Sequence, residues 1–323
     1  MTTRLWFLLL ASLLGLASVV SLLAGHTADA SLAALLQLPG HDPLLHTLLL
    51  QLRLPRLISA AAAGALLGCA GLAIQARFHN DLAEPGLIGI SAGGALAAAL
   101  ALAAALPTQL VSLAAFVGST LALLAIQLLA HGRSAAKLLL AGVAMNALCG
   151  SLLTLLISTL PDGVLRSVTF WLMGSFSGAS PAQALLLAVA AVLIGLLLWR
   201  QAAFLQALQL GDRAAFYSGF NVGREGACTV LLATLACGLV VAQCGMVGFI
   251  GLMAPHILRR LIGLQLRPLL LLTPLAGALL AVVADLIASQ ALYPAELPIG
   301  VITSLAGAPF FLYLLARQRG EHA

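Results

Sequence analysis

The sequence predicts an all-α, polytopic membrane protein of ten spans. Of its 323 residues, 62% are hydrophobic and 8% charged, where a soluble domain carries about 25% charged residues. The apolar residues fall in runs near the ~20 needed to cross a bilayer as a helix. Two helix starts are broken by Gly and Pro. One is Asn80-Asp81-Leu82-Ala83-Glu84-Pro85-Gly86-Leu87-Ile88-Gly89-Ile90-Ser91; the other is Gly245-Met246-Val247-Gly248-Phe249-Ile250-Gly251-Leu252-Met253-Ala254-Pro255-His256. Irregular backbone at membrane depth is tolerated only where protein buries it or it lines a cavity. A pair of such breaks in corresponding halves points to a transport pathway.

The spans fall at 5–24, 52–76, 86–105, 108–130, 137–159, 182–200, 226–245, 248–264, 268–289 and 298–316. The first follows Met1 to Arg4, and Ala28-Asp29-Ala30 resembles a cleavage site. Its apolar run of 19 residues, Leu5 to Leu23, exceeds the ~7–15 of a signal-peptide core, so a retained span is expected. Pro107 divides the charge-free block between Glu84 and Arg133. The Gly245/Gly248/Gly251 cluster divides the block 226–258. Arg259 and Arg260 fall inside the eighth span, where long stems can snorkel to the interface.

Two connections carry structure of their own. Residues 162–181 are too polar to cross and predict a short re-entrant or interfacial helix around Phe170-Trp171-Leu172-Met173, ending at Gly174. Residues 201–225 form the longest connection, and Leu210 to Phe216 followed by Gly219 predicts two short helices broken by glycine. Five spans separate the two breaks. An odd offset gives the halves opposite orientation, an inverted internal repeat. Residues 1–323 then form a single transmembrane domain.

Charge sets the expected topology. With both termini in the cytoplasm, Arg4, Arg77, Arg133, Lys137, Arg200, Arg213, Arg224, Arg259, Arg260, Arg267, Arg317 and Arg319 face inward, and Arg53, Arg56 and Arg166 outward. That bias satisfies the positive-inside rule. The net charge of +5 is too scattered to form a nucleic-acid surface. The five cysteines, Cys69, Cys149, Cys228, Cys237 and Cys244, lie in apolar runs without a CxxC spacing, and read as buried hydrophobes. No metal site and no cofactor is expected.

Motor chemistry is missing. The one lysine, Lys137, follows Ser134-Ala135-Ala136, whereas a P-loop needs Gly-Lys-Ser/Thr. Asp285 is taken as the acidic residue within the spans, near an outward helix end, and reads as a packing or interface group. His256, after Pro255, reads as a packing histidine. No nucleophile–base pair is apparent, so no enzyme is expected. A partner motor is the economical inference; a stand-alone ion-coupled secondary transporter is the alternative.

Leu52-Arg53-Leu54-Pro55-Arg56, Asn80 through Ser91, Phe170-Trp171-Leu172-Met173-Gly174, Gly245 through His256 and Pro294-Ala295-Glu296-Leu297-Pro298-Ile299-Gly300 occur in order. With them the chain resembles the FecCD family of permeases, the membrane subunits of bacterial type II ABC importers for heme, iron-siderophores and vitamin B12. The resemblance implies the ten-span vitamin B12/heme permease fold in the inner membrane. It implies a homodimer with the pathway on its axis, two cytoplasmic ATPase subunits and a periplasmic binding protein. Arg53 and Arg56 match outward arginines that dock the binding protein; a third falls at Ser289 here. Asn80 and Leu82 match one cytoplasmic gate, and Ala135 and Ala136 the other. The commoner Asn-Pro-Leu is Asn80-Asp81-Leu82 in this chain. Gly211, Asp212, Ala215 and Gly219, in the loop 205–225, resemble the helices that couple to the ATPase. Ala144 through Gly150, Leu165 through Trp171, Tyr293 through Pro298 and Pro309-Phe310-Phe311-Leu312 look most like heme permeases, which places heme ahead of a ferric siderophore or cobalamin as cargo.

Overall fold

The computed structural model describes residues 3–24, 47–130, 135–293 and 295–320. Thirteen α-helices account for nearly all of them. They are α1 (Thr3–Leu23), α2 (Leu54–Phe78), α3 (Ile90–Ala103), α4 (Thr108–Ala130), α5 (Ala135–Thr159), α6 (Asp162–Met173), α7 (Pro181–Arg200), α8 (Ala202–Leu208), α9 (Asp212–Tyr217), α10 (Val222–Cys244), α11 (Ile250–Ile262), α12 (Leu266–Gln290) and α13 (Ile299–Gly320). Each of the ten expected spans has a helix. Seven are long and apolar enough to cross a membrane; α3 and α11 are the helices of the two broken spans, and α13, at 22 residues, fills the tenth. At 13 residues, α11 is about 20 Å long and reaches only part of the way through a ~30 Å hydrocarbon layer.

The bundle is organised around α2, which is buried along most of its length. A π-helical turn, Leu49–Arg53, leads into it. Small residues let neighbouring helices approach closely. A Cβ on Gly64 would collide with the carbonyl oxygen of Gly277 on α12, and one on Gly71 with that of Gly251 on α11. On α3 and α4, Gly93 and Gly118 meet in the same way. Lipid supplies no hydrophobic drive between helices, so close van der Waals approach through small residues carries the packing.

Two ends of the bundle can be told apart by their partners. At one end lie Arg56, Asp285 and Leu22, the last through its carbonyl, which accepts from Arg53 Nη1 at 2.8 Å. At the other lies Arg77, which shares a cavity with Leu124, Gln127 and Leu128 of α4, Leu138 of α5 and Gly226 of α10. Because α4 finishes at the Arg77 end, α3 before it runs toward the Arg56 end. By contrast α11 runs toward the Arg77 end, where its Arg259 meets Gln75 of α2 at 2.7 Å. Two half-length helices thus leave the interior in opposite directions, as an inverted repeat requires.

Two of the connections are themselves helical. α6 stops at Gly174, whose φ of 74° suits a residue without Cβ. Its amphipathic character sorts the two aromatics: Phe170 is exposed, whereas Trp171 packs beside Ala98, Ala101, Val111 and Ala242. The connection between α7 and α10 folds as α8 and α9, separated by Gly211 at φ 102°.

Candidate functional site

Both broken segments converge on one interior cavity of about 210 Å³. Ser91 of α3 and Gly251 of α11 line it, so the N-terminal ends of both half-helices face it. Leu67 also lines it and lies halfway along α2, which sets the cavity near mid-depth. The first break enters as a 3-10 turn, Pro85–Ile88, because Pro85 presets φ for a turn start. Asn146 of α5 steadies that turn by donating to the Gly86 carbonyl at 3.3 Å.

Glu84 joins the two breaks. Its Oε1 accepts the backbone N–H of Phe249, the residue that begins α11 with a left-handed φ of 64°. A non-glycine residue in that region carries strain that surrounding structure must hold. The carboxylate does so here and satisfies a donor at the start of the half-helix. On the other side of Phe249, its ring fills the space that a Cβ at Gly307 of α13 would need. Sequence reasoning names Asp285 as the acidic residue within the spans and begins the third span at residue 86, after Glu84; in the structure Glu84 is a second, and it lines the interior cavity.

A second, wider groove of about 720 Å³ opens beside the second break, lined by Leu172, Met173, Met246, Phe249, Val301 and Leu305 among others. Three chain breaks build its wall. The Ile299 amide donates to the Gly174 carbonyl at 3.1 Å and the Ser175 amide to the Cys244 carbonyl at 2.8 Å. His256 faces Phe310 edge to face at 5.6 Å, and its Nδ1 is buried without a hydrogen-bond partner. Among the described residues no group of His, Cys, Asp or Glu could hold a metal ion.

The expected docking arginines lie at the Arg56 end. Arg53 is tied to the Leu22 carbonyl. Arg56 is held by two carboxylates, Asp285 at 2.9 Å and Glu296 at 2.7 Å. Asp285 is nearly buried, at 5% side-chain exposure, and Glu296 is 46% exposed. The face therefore presents Glu296 alongside the arginines. Ser289, where the resemblance implies a third arginine, donates to the Leu286 carbonyl at 3.0 Å and accepts from Gln290 Nε2 at 3.4 Å. Pro294 lies outside the described residues.

At the Arg77 end, Asn80 Oδ1 accepts the Leu82 amide at 3.0 Å. Ala135 and Ala136 open α5; their side chains lie outside what is described, as does Ser134. Gly211, Asp212 and Gly219 are at the surface or near it, and Asp212 approaches Arg77 at 3.9 Å. Ala215 is fully buried and seats α9 on the bundle. The large apolar side chains that α9 and its connection to α8 present outward are Leu210, Phe216 and Tyr217, at 82%, 66% and 85% exposure. Sequence reasoning did not single out these three, because in so apolar a chain a Leu-Phe-Tyr cluster has no contrast.

An all-helical bundle with opposed half-helices meeting at a buried cavity defines a membrane transport protein. The profile of the FecCD transport family matches residues 8–317. The chain belongs to the FecCD transport family and is a permease of the type II ABC importer class. It is 41% identical over 287 residues to the hemin transport system permease protein HmuU of Yersinia pestis, covering 85% of this chain and 84% of that one. It is 40% identical over 285 residues to the vitamin B12 import system permease protein BtuC of Vibrio vulnificus, covering 86% and 85%. With the Fe(3+) dicitrate permease FecD of Escherichia coli the identity is 38% over 285 residues, covering 87% and 88%. A solved inward-facing conformation of a metal-chelate type ABC transporter superposes with a TM-score of 0.89 at 30% identity, covering 98% of this chain and all of that one.

Proposed function

We propose that this chain is the membrane subunit of an ATP-driven importer that carries heme from a periplasmic binding protein to the cytoplasm. The reading rests chiefly on the pair of half-helices that diverge from one mid-depth cavity, in a chain of this family. Cargo would pass by alternating access, without covalent chemistry on it. Residues 1–323 act as one domain, with 162–181 as a partly inserted segment and 205–225 as the coupling segment.

Orientation follows from charge. The described helix ends that carry Arg4, Arg77, Lys137, Arg200, Arg213, Arg224, Arg259, Arg260 and Arg267 share one end of the bundle, with Arg53, Arg56 and Arg166 at the other. The positive-inside rule makes the Arg77 end cytoplasmic. Leu210, Phe216 and Tyr217 then form an apolar knob facing a cytoplasmic partner. Apolar surface so exposed outside the lipid suits burial in a protein groove, and the partner is an ATPase, two copies per transporter. A second copy of the chain fits the sparsely covered face of α5, where Leu140, Val143 and Leu155 are 72%, 58% and 63% exposed. Asn80, Leu82, Ala135 and Ala136 are the gate positions, and Arg53 and Arg56 the binding-protein contacts.

Heme as cargo is supported by the hemin permease relative and by the apolar groove with its two methionines and Phe249. The vitamin B12 and ferric dicitrate relatives match almost as well. ATPase activity of the assembled complex, compared with heme-, ferric siderophore- and cobalamin-loaded binding protein, decides. Stimulation by heme alone is expected; stimulation by either other cargo instead reassigns the substrate.

A further inference from the structure

The turn that leaves α2 is gripped from two sides. Its own geometry is compact: the Asn80 amide donates to the Gln75 carbonyl at 3.1 Å, and the Ala83 amide to the Asn80 carbonyl at 3.0 Å. On one side, His79 Nε2 donates to the carbonyl of Leu208, the last residue of α8. On the other, Asp81 Oδ1 lies 2.9 Å from Arg259 Nη1, near the end of α11. The same Nη1 donates to Gln75 Oε1 at 2.7 Å.

The two partners of that pair are unequal. Arg259 has 7% side-chain exposure and Asp81 57%. A buried guanidinium needs its counter-charge, while an exposed carboxylate can exchange its partner for water. Beside the pair is an open cavity of about 480 Å³, lined by His79, Asp81, Gln209, Arg259 and Leu264 among others. The turn therefore has space to move once the pair opens.

We propose that Asp81 and Arg259 form an electrostatic latch through which movement of α8 and α9 reaches α11, with residues 79–82 as the junction. Asp81 and Arg259 are positioning residues and do not touch cargo. The proposal rests on reading 205–225 as the ATPase-coupling segment.

Two measurements test it with Asp81→Ala, the conservative Asp81→Glu and the exchanged pair Asp81→Arg/Arg259→Asp. In the purified permease, hydrogen exchange at the Leu82 and Ala83 amides should be at least about fivefold faster in Asp81→Ala, with Asp81→Glu and the exchanged pair within about twofold of the natural chain. Unchanged exchange in Asp81→Ala overturns the latch, as does an exchanged pair no slower than the single variant. In the reconstituted complex, cargo taken up per ATP hydrolysed should fall at least about fivefold in Asp81→Ala and recover in the exchanged pair. An unchanged ratio overturns the transmission role. If the natural complex takes up no cargo with ATP, the importer reading fails, and the amide exchange still decides the latch.

Discussion

Arg56 and Asp285 form a two-pronged ion pair, Nε to Oδ2 at 2.9 Å and Nη2 to Oδ1 at 3.0 Å, across 229 positions of sequence. It fastens α2 to the last turns of α12, above the contact of Gly64 with Gly277. Glu296 still pairs Arg56 when Asp285 is lost, whereas removing Arg56 leaves the buried Asp285 without its counter-charge, at a cost of about 3–5 kcal/mol. Arg56→Leu should therefore lower the thermal unfolding temperature in detergent markedly. Adding Asp285→Ala should recover most of the loss. A double variant as unstable as the single one would show that the pair is not what fastens the helices.

The same pairing separates the two arginines proposed to contact the binding protein. Arg56 is occupied inside the subunit, and Glu296 faces outward beside it. Rim charges act mainly on association rate. Arg53→Glu should thus slow binding-protein association at low salt and lower the unfolding temperature less than Arg56→Glu, which breaks the ion pair to buried Asp285. Arg56→Glu should lower stability as well as docking. Surface-based binding kinetics at two ionic strengths check this; equal association rates for Arg53→Glu and the natural chain would remove Arg53 from the contact.

Glu84 acts through an acceptor oxygen that Gln also supplies. Glu84→Gln should retain the bond to the Phe249 amide, whereas Glu84→Leu leaves that amide buried and unpaired, a cost of about 1–3 kcal/mol. Unfolding temperature should follow the order natural chain, Gln, Leu. A Leu variant as stable as the Gln variant would mean that Phe249 holds its left-handed backbone without help.

Gly277 and Gly150 make a matched comparison. A Cβ at Gly277 meets the Gly64 carbonyl, while one at Gly150 meets nothing within 4 Å. Overpacking typically costs about 1–3 kcal/mol. Gly277→Ala should lower yield and unfolding temperature, and Gly150→Ala should not. Equal behaviour would argue that α2 and α12 are farther apart than described.

The helices were legible because a bilayer forces a strong period-independent signal: long apolar runs, ended by charge or by Gly and Pro. Even α6 and the α8–α9 connection were visible through Gly174 and Gly211, whose positive φ values require such residues. What the chain hid was pairing between distant elements. Nothing near Arg56 indicates that Asp285 will meet it, and nothing in Asn80-Asp81-Leu82 indicates Arg259. Glu84 stands just before the expected third span; only the fold shows that its segment is folded into the interior. Ala215 was expected on the coupling segment, but its small side chain serves burial, and the exposed cluster is its larger neighbours.

Nucleotide hydrolysis by a partner is proposed to drive movement of cargo through this chain. Proteoliposomes containing the permease and its ATPase, supplied with loaded binding protein outside, test this when ATP is enclosed with and without a transition-state inhibitor. Heme accumulation that requires ATP and stops with the inhibitor is the predicted result. Uptake by the permease alone, driven by an ion gradient and indifferent to ATP, would contradict it.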